Sequence, residues 1–330
     1  MKDAMIEMRL PWTVSTAWHV LLANTHVVDE CFLHPSTDWG RQAGEILPRS
    51  IVETLQGFRD DPRQHALILR NCPLDHPLPP TPYNGVLSPA HSPVACLVNL
   101  ALFQLMGIAP VVYEGENEGR LFRHVVPAPH AAKQKSSHGS RARFGYHVDN
   151  PDLPLIAEPI TDLSACPEYL SLFGMRCDPR VKTTLVLTQS VLRVLAPEMI
   201  KVLASPRFVM RRPASFGCNR ETTGLPLLVQ AGSGQWLCRF DTENTQAMDQ
   251  QGIEAIATLR EVLDTGEFDI GLLLLPGDFL VFKNQLTLHA RDAFVPREDG
   301  ADRWLMRLFG MADLARTRPA RSGRAFEVAA

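Results

Sequence analysis

One stretch near the C-terminus indicates the fold class of this 330-residue chain. Residues 270–311 read IGLLLLPGDFLVFKNQLTLHARDAFVPREDGADRWLMRLFGM. Short apolar runs alternate here with clusters of turn residues, a pattern typical of successive β-strands. The stretch predicts one strand before the PGD turn, a second after it and a third that ends in RWLMRLF. We expect these strands to be the closing hairpins of an antiparallel barrel.

The preceding sequence divides into a helical part and a strand-rich part. Residues 15–70 and 93–107 have the helical spacing of apolar positions, and a proline-rich connection separates them. Strand-like runs such as APVVY, LFRHVVP and FGYHVD follow, and two helical patterns at 184–205 and 252–267 are inserted among the later ones. The sequence predicts a single domain with a mostly helical portion at 1–107, a β core at 108–312 and a tail at 313–330.

Composition argues against macromolecular partners. Basic and acidic residues number 33 and 36, so no broad positive surface for nucleic acid or anionic membrane is expected. The longest apolar run, PVACLVNLALFQLMG, is too short to span a bilayer, and the N-terminus has charges where a signal peptide needs an apolar core. Seven scattered cysteines without a C-x-x-C motif fit reduced thiols, so a cytoplasmic location is expected. The sequence leaves the oligomeric state open.

A histidine and an aspartate stand two apart in RFGYHVDNPDL, residues 143–153. Alternate side chains of a strand share a face, so His147 and Asp149 can point into one cavity as ligands of one metal ion. A solvated or core histidine is the alternative for this pair taken alone. His289, at the end of an apolar strand, is the candidate third ligand, and two histidines with one carboxylate form the facial triad of non-haem Fe(II) oxygenases.

Two arginines follow the second histidine in the segment DRWLMR. If the open metal positions hold a 2-oxoacid and dioxygen, the far carboxylate of the 2-oxoacid needs a planar, bidentate cation, which arginine supplies. Arg303 and Arg307 lie within a strand pattern where burial without an anionic partner would be costly. Their alternative is a surface position on an edge strand.

Taken in order, these motifs resemble the clavaminate synthase-like branch of the Fe(II)/2-oxoglutarate-dependent oxygenases, in particular its amino-acid hydroxylases. Three segments carry the resemblance, at 124–150, 167–184 and 275–309, and it extends over about residues 85–312. It implies a mainly β fold with flanking helices around a double-stranded β-helix, or jelly-roll, core. Two departures are an aspartate at 149 where relatives often have glutamate, and Lys283 beside Asn284 where an acidic residue is more usual.

The resemblance also implies a role for each site residue. His147, Asp149 and His289 would bind iron, Arg303 would hold the C5 carboxylate of 2-oxoglutarate with Thr184 or its neighbour Thr183, Arg307 would hold the substrate carboxylate, and Glu116 or Glu118 the α-ammonium group. Asn150, directly after the metal carboxylate, would add a hydrogen bond to the substrate.

The implied reaction is hydroxylation of an unactivated C–H bond of an amino acid. Fe(II) would be the cofactor, with 2-oxoglutarate and O2 as co-substrates and succinate and CO2 as products. Asp241 and Glu243 in CRFDTENTQ match acidic residues that hold a distal cation in relatives, so a basic or cyclic free amino acid is the expected substrate; a solvated turn is the alternative. A zinc or manganese hydrolase or isomerase on a similar barrel, and a non-catalytic ligand-binding protein, remain open.

Overall fold

Two β-sheets packed against each other form the centre of the protein in the computed structural model, which describes residues 4–25, 38–213, 216, 220–324 and 326–330. The larger sheet contains β1 (Met5–Arg9), β2 (Ala66–Arg70), β3 (Ala109–Tyr113), β4 (Arg123–Val125), β6 (Tyr169–Arg176), β14 (Phe279–Lys283), β16 (Trp304–Met311) and β17 (Glu327–Val328). Its order is β1-β2-β14-β6-β16-β3-β17, with β4 beside β16. The smaller sheet, in the order β13-β7-β15-β5, contains β5 (Phe144–His147), β7 (Thr183–Leu187), β13 (Ile270–Leu272) and β15 (Thr287–Arg291).

Of the described helices, those before residue 106 cover the outer side of the larger sheet, those after residue 187 pack into the hydrophobic cluster shared with the smaller sheet, and two small sheets flank the core. The described α-helices are α1 (Trp12–Ala23), α2 (Trp39–Ile46), α3 (Arg49–Phe58), α4 (Pro93–Leu105), α5 (Thr188–Leu192), α6 (Pro197–Leu203) and α7 (Gln250–Asp264). The small sheets pair β8 (Phe208–Arg211) with β9 (Glu221–Leu225) and β12 (Thr245–Ala247), and β10 (Leu228–Gln230) with β11 (Trp236–Cys238). No helix among the described residues has the length and apolarity needed to cross a membrane.

The strands of the larger sheet are apolar on both faces because each face is buried against a different layer. In β14, Phe279 and Val281 pack with the helices, whereas Leu280 and Phe282 face the smaller sheet. Burial of each such side chain contributes about 1.5–3 kcal/mol. Burial of both faces explains why the run FLVF, residues 279–282, is continuously hydrophobic.

The central helix α4 is buried along almost its whole length, which its uniformly apolar sequence allows. Asp75 caps it from a distant loop: its two carboxylate oxygens accept the backbone N–H groups of Val94 and Ala95 at 2.9 Å each. The cap satisfies donors that the first helical turn leaves without partners.

The predicted closing hairpins are wrong. Strands β13 and β15 belong to the smaller sheet, whereas β14 and β16 belong to the larger one, so successive strands alternate between the sheets. The PGD turn is therefore a crossing between layers. Gly277 has a φ of 81° there, and a Cβ would lie 2.4 Å from the carbonyl oxygen of Cys72.

Three other predicted boundaries need correction. The helical pattern at 184–205 begins with strand β7, and the helical stretch 15–70 ends with strand β2. The tail at 313–330 contributes β17, which pairs with β3 in parallel. Short apolar runs buried on both faces do not distinguish a strand from a helix by periodicity, which accounts for the first two errors.

Candidate active site

Strand pairing brings the predicted metal ligands together. His289 of β15 lies directly opposite His147 of β5, and Asp149 follows two residues later. One ligand atom from each residue lies within 4.8 Å of the others. The Nε2 atom of His289 lies 3.6 Å from Asp149 Oδ2, and that of His147 lies 4.0 Å from Asp149 Oδ1. The three side chains therefore converge, with His147 and Asp149 two apart in H-x-D and His289 supplied by a distant strand as predicted.

The chemical state of these groups fits a divalent metal ion. His147 Nδ1 lies 2.8 Å from the Gly145 carbonyl, so Nδ1–H donates to it, and the buried Nε2 has no hydrogen-bond partner in the structure. Burial, with the nearby His147, lowers the pKa of His289 to about 3, so its ring is neutral. Burial alone would raise the pKa of Asp149, but Arg307 and the two imidazoles lower it overall. The neutral ring of His289, the carboxylate of Asp149 and the unpartnered Nε2 of His147 are donors suited to one divalent metal ion.

Asn284 holds the backbone of the metal carboxylate. Its Oδ1 accepts the N–H of Asp149 and its Nδ2 donates to the Asp149 carbonyl, both at 3.1 Å. Lys283, the unusual neighbour, points away, donating to the Asp61 carbonyl at 2.8 Å. Replacing the usual acidic residue by Lys283 therefore leaves the Asn284–Asp149 hydrogen bonds in place.

A buried arginine without an anionic partner lies beside the triad. Arg303 is 6% exposed, its Nη2 donates to Thr183 Oγ1 at 3.0 Å, and no described carboxylate lies within 4.0 Å of its guanidinium. Burial, together with the charge of the nearby Arg291, lowers the pKa of Arg303 to about 10. An uncompensated buried cation is costly, so this position suits the carboxylate of a bound ligand.

The structure places Thr183, and not Thr184, next to Arg303. The side chains of adjacent strand residues point to opposite faces, and only Thr183 lines the cavity that holds the triad. Arg291, which sequence reasoning missed, also lines that cavity; its N–H groups reach the carbonyls of Ser140, Ala142 and Asp292. Its position in the HAR segment, two residues after a metal ligand on the same strand face, is the signal that could have found it.

Arg307 and Glu116 form an ion pair at the other side of the triad. Arg307 Nη1 also lies 3.4 Å from Asp149 Oδ2. Glu116 is buried, and its Oε2 has no hydrogen-bond partner in the structure. Glu118, the alternative, is exposed and pairs with Arg120 at 3.0 Å. Glu116 is therefore the glutamate of the site.

A second arginine that sequence reasoning missed, Arg123, lies opposite Arg307 in the pairing of β4 with β16. Its Nη1 lies 3.7 Å from Glu116 Oε1, and its Nη2 donates to Ser137 Oγ at 3.0 Å. Burial and the charge of Arg307 lower the pKa of Arg123 to about 10. The sequence feature that could have identified Arg123 is its position as a charged residue within the strand-like run LFRHVVP.

Four predicted substrate residues, Glu116, Asp241, Glu243 and Asn150, lie outside the lining of the cavity that holds the triad. Asp241 accepts hydrogen bonds from the backbone N–H groups of Glu243 and Asn244, at 2.7 and 3.0 Å, and from the Asn244 side chain. Its carboxylate thus holds the turn after β11, and burial raises its pKa. Glu243 pairs with Lys135, on the loop between β4 and β5, at 3.0 Å. Asn150 is buried with a φ of 55°, and its Nδ2 has no hydrogen-bond partner.

Fold and site together define a protein of the 2-His-1-carboxylate oxygenase class. The family model of the taurine catabolism dioxygenase TauD, TfdA family matches residues 213–309. The L-asparagine oxygenase of Streptomyces coelicolor is 30% identical over 288 residues, covering 85% of this chain and 81% of the relative. The L-lysine 3-hydroxylase of Catenulispora acidiphila is 29% identical over 294 residues, covering 85% and 76%.

A solved structure agrees with these sequence comparisons. The crystal structure of asparagine oxygenase in complex with Fe(II), 2S,3S-3-hydroxyasparagine and succinate superimposes with a TM-score of 0.84 at 26% identity, over 98% of this chain and 99% of the other. The chain belongs to the TauD, TfdA dioxygenase family, in the group that includes these amino-acid oxygenases. The family and the enzyme class predicted from the sequence are confirmed.

Proposed function

We propose that the chain is an Fe(II)- and 2-oxoglutarate-dependent hydroxylase of a free amino acid, with succinate and CO2 as co-products. The observation that carries the proposal is Arg303, a buried cation without an anionic partner among the described residues, beside three convergent metal ligands. A zinc or manganese hydrolase would use the same ligands but would give Arg303 no function. A non-catalytic binding protein would leave the three convergent metal ligands without a function.

His147, Asp149 and His289 would hold the iron, and a set of only three protein ligands would leave coordination positions for the ligands of the reaction. Iron in this ligand set, with 2-oxoglutarate and O2, supplies the oxidising power to hydroxylate an unactivated C–H bond. Asn284 fixes the backbone of Asp149 through two hydrogen bonds, so the carboxylate is oriented before the metal arrives.

Arg303 and Thr183 would bind the C5 carboxylate of 2-oxoglutarate. The guanidinium offers a planar fork, and the threonine hydroxyl, which now accepts from Arg303, can donate to the same carboxylate. Arg291 adds a second positive charge in the same cavity. Together the two arginines match the two negative charges of the co-substrate.

Arg307 and Glu116 would bind the two ends of the amino acid. Arg307 is a cation for the α-carboxylate, and the unpartnered Glu116 Oε2 is an acceptor for the α-ammonium group. Because both groups are buried, each gains strength from the low dielectric of the site. Asn150 Nδ2 is a further donor for the substrate or for the surrounding backbone.

The loop at 126–143 would close the site. The cavity has a volume of about 50 Å³, and Ser137 of this loop lines it beside Leu172 and Leu305. This volume is small for two ligands, so the proposal requires the loop to move outward when they enter. The half-exposed Lys135–Glu243 ion pair, which joins the loop to the turn after β11, would open at little cost.

The alternation of strands between two sheets supports a double-stranded β-helix core, within one domain that spans the chain. The described cysteines are free thiols, which supports a cytoplasmic location.

The proposal is tested by incubating the Fe(II)-loaded protein with 2-oxoglutarate, O2 and each proteinogenic amino acid in turn. At least one amino acid should gain one oxygen atom by mass, with one succinate formed for each product molecule. Absence of any oxidised amino acid, with the metal bound, would contradict the proposal.

A further inference from the structure

The part of the site that is proposed to bind the amino acid contains one more buried cation than the α-carboxylate and α-ammonium groups of the substrate require. Arg123 and Arg307 lie directly opposite each other in the antiparallel pairing of β4 with β16, where facing side chains share a face. Like charges at such a position destabilise the pair. A single carboxylate, Glu116, lies between them, and its Oε1 contacts both guanidinium groups.

The charges of the site can be matched group by group. Under the proposed function, the α-carboxylate of the substrate pairs with Arg307 and its α-ammonium group pairs with Glu116. Asp149 is occupied by the metal, and Arg291 and Arg303 face the co-substrate. Arg123 is then left as a buried guanidinium with no charged partner of its own.

Arg123 is also positioned to reach the substrate. It is 7% exposed, and its Nε and Nη2 lie 3.2 and 3.0 Å from Ser137 Oγ. Ser137 lines the same cavity as the triad, so the Arg123 guanidinium lies one hydrogen bond behind the cavity wall. Its Nη1 points toward Glu116, where the substrate's ammonium group would lie.

The acidic residues expected to bind a basic side chain have other partners. Both oxygens of Asp241 accept hydrogen bonds within the 241–245 turn, and Glu243 pairs with Lys135. The cavity lining thus includes no carboxylate other than Asp149 among the residues that the structure describes.

We propose that Arg123 recognises the side chain of the amino-acid substrate. The substrate's side chain then ends in an oxygen acceptor, a carboxylate or a carboxamide, rather than in a cation. The inference rests on the proposed function. A carboxylate would neutralise Arg123, and a carboxamide oxygen would accept its N–H groups.

The test is calorimetric binding of amino acids to the protein loaded with Fe(II) and 2-oxoglutarate, without oxygen, so that no turnover is needed. The ligands are L-aspartate, L-glutamate, L-asparagine and L-glutamine against L-lysine, L-ornithine and L-arginine, with L-alanine as the reference that lacks a side-chain acceptor. At least one acceptor-bearing amino acid should bind roughly tenfold or more tightly than every basic one, the scale of a charge-assisted hydrogen bond. Comparison of acids with amides identifies the preferred acceptor.

Variants separate selection from a general role in binding. Arg123→Met should weaken binding of the preferred amino acid by roughly tenfold or more and change that of L-alanine by less than about twofold. Arg123→Gln, which keeps a donor, should lose less, and Arg120→Gln serves as the matched control on a half-exposed arginine nearby. Circular dichroism and thermal melting establish that each variant is folded.

Three results would overturn the inference. One is tighter binding of lysine, ornithine or arginine than of any acceptor-bearing amino acid by the unmodified protein. This result does not depend on the folding of a variant. Another is an equal loss for L-alanine and the preferred amino acid in Arg123→Met, which would make Arg123 a second clamp for the α-carboxylate. If no amino acid binds while 2-oxoglutarate does, the proposed amino-acid hydroxylase function itself is contradicted, and this inference falls with it.

Discussion

Replacement of Arg303 by methionine should stabilise the ligand-free protein and abolish binding of 2-oxoglutarate. The pKa of Arg303 is lowered from 12.5 to about 10, mainly by burial, so the folded state disfavours the charged form. At 1.36 kcal/mol for each pKa unit, this corresponds to a penalty of about 3 kcal/mol. Loss of the hydrogen bond to Thr183 removes about 1 kcal/mol of stabilisation. The net expected gain is about 2 kcal/mol.

The assay is urea unfolding of the unmodified protein, Arg303→Met and Arg303→Lys, each with and without 2-oxoglutarate. A ligand at one hundred times its Kd adds about 2.7 kcal/mol to the free energy of unfolding of a protein that binds it. The unmodified protein should show this increment and Arg303→Met should not. Arg303→Lys keeps the charge but loses the planar fork, so its affinity for 2-oxoglutarate should fall by about 1–3 kcal/mol.

Two results would refute this reasoning. If Arg303→Met is less stable than the unmodified protein without ligands, the buried charge of Arg303 does not lower the stability of the ligand-free protein. If Arg303→Met retains the stabilisation by 2-oxoglutarate, Arg303 does not bind the co-substrate, and Arg291 becomes the candidate in its place.

Three further predictions concern single residues. Thr183→Val should weaken 2-oxoglutarate binding by roughly threefold to tenfold in a calorimetric titration, and Thr184→Val should not. A loss of affinity in Thr184→Val but not in Thr183→Val would instead support Thr184, the residue that the family resemblance implied. Folding lowers the pKa of His289 from its ordinary value of 6.5 to about 3, so the free energy of unfolding of the metal-free protein should decrease as pH falls from about 6.5 to about 3. His289→Gln should reduce that decrease. The same decrease in both proteins would contradict this prediction. Asp241→Asn should lower the unfolding free energy by about 1–3 kcal/mol, since it disturbs three hydrogen bonds of its turn, and a change in amino-acid preference without loss of stability would instead support a direct role in binding substrate.

The sequence predicted the parts of the site that depend on strand alternation and local spacing. His147 and Asp149 are two apart and converge, and the predicted pair Arg303 and Arg307, four apart, both line the same cavity in agreement with the same period. The choice between Thr183 and Thr184 could not be made from sequence, because a shift of one residue reverses the face of a strand. The structure fixes it through the pairing of β7 with β15.

Long-range pairing set the features that sequence reasoning missed. The opposition of Arg123 and Arg307 depends on the register of β4 against β16, across 184 residues of chain (307 minus 123). The partners of Asp241 and Glu243 depend on a local turn and on a lysine more than one hundred residues away. The contacts of these two acidic residues therefore could not be inferred from their positions in the sequence.

The triad and Arg303 together should bind Fe(II) and 2-oxoglutarate. The most direct test of this joint binding is anaerobic addition of 2-oxoglutarate to the Fe(II)-loaded protein, monitored by visible absorption. A weak charge-transfer band should appear in the unmodified protein, be absent from His289→Ala, and require a much higher 2-oxoglutarate concentration in Arg303→Met. Absence of the band from the unmodified protein with iron bound, or a band of equal affinity in Arg303→Met, would contradict the claim.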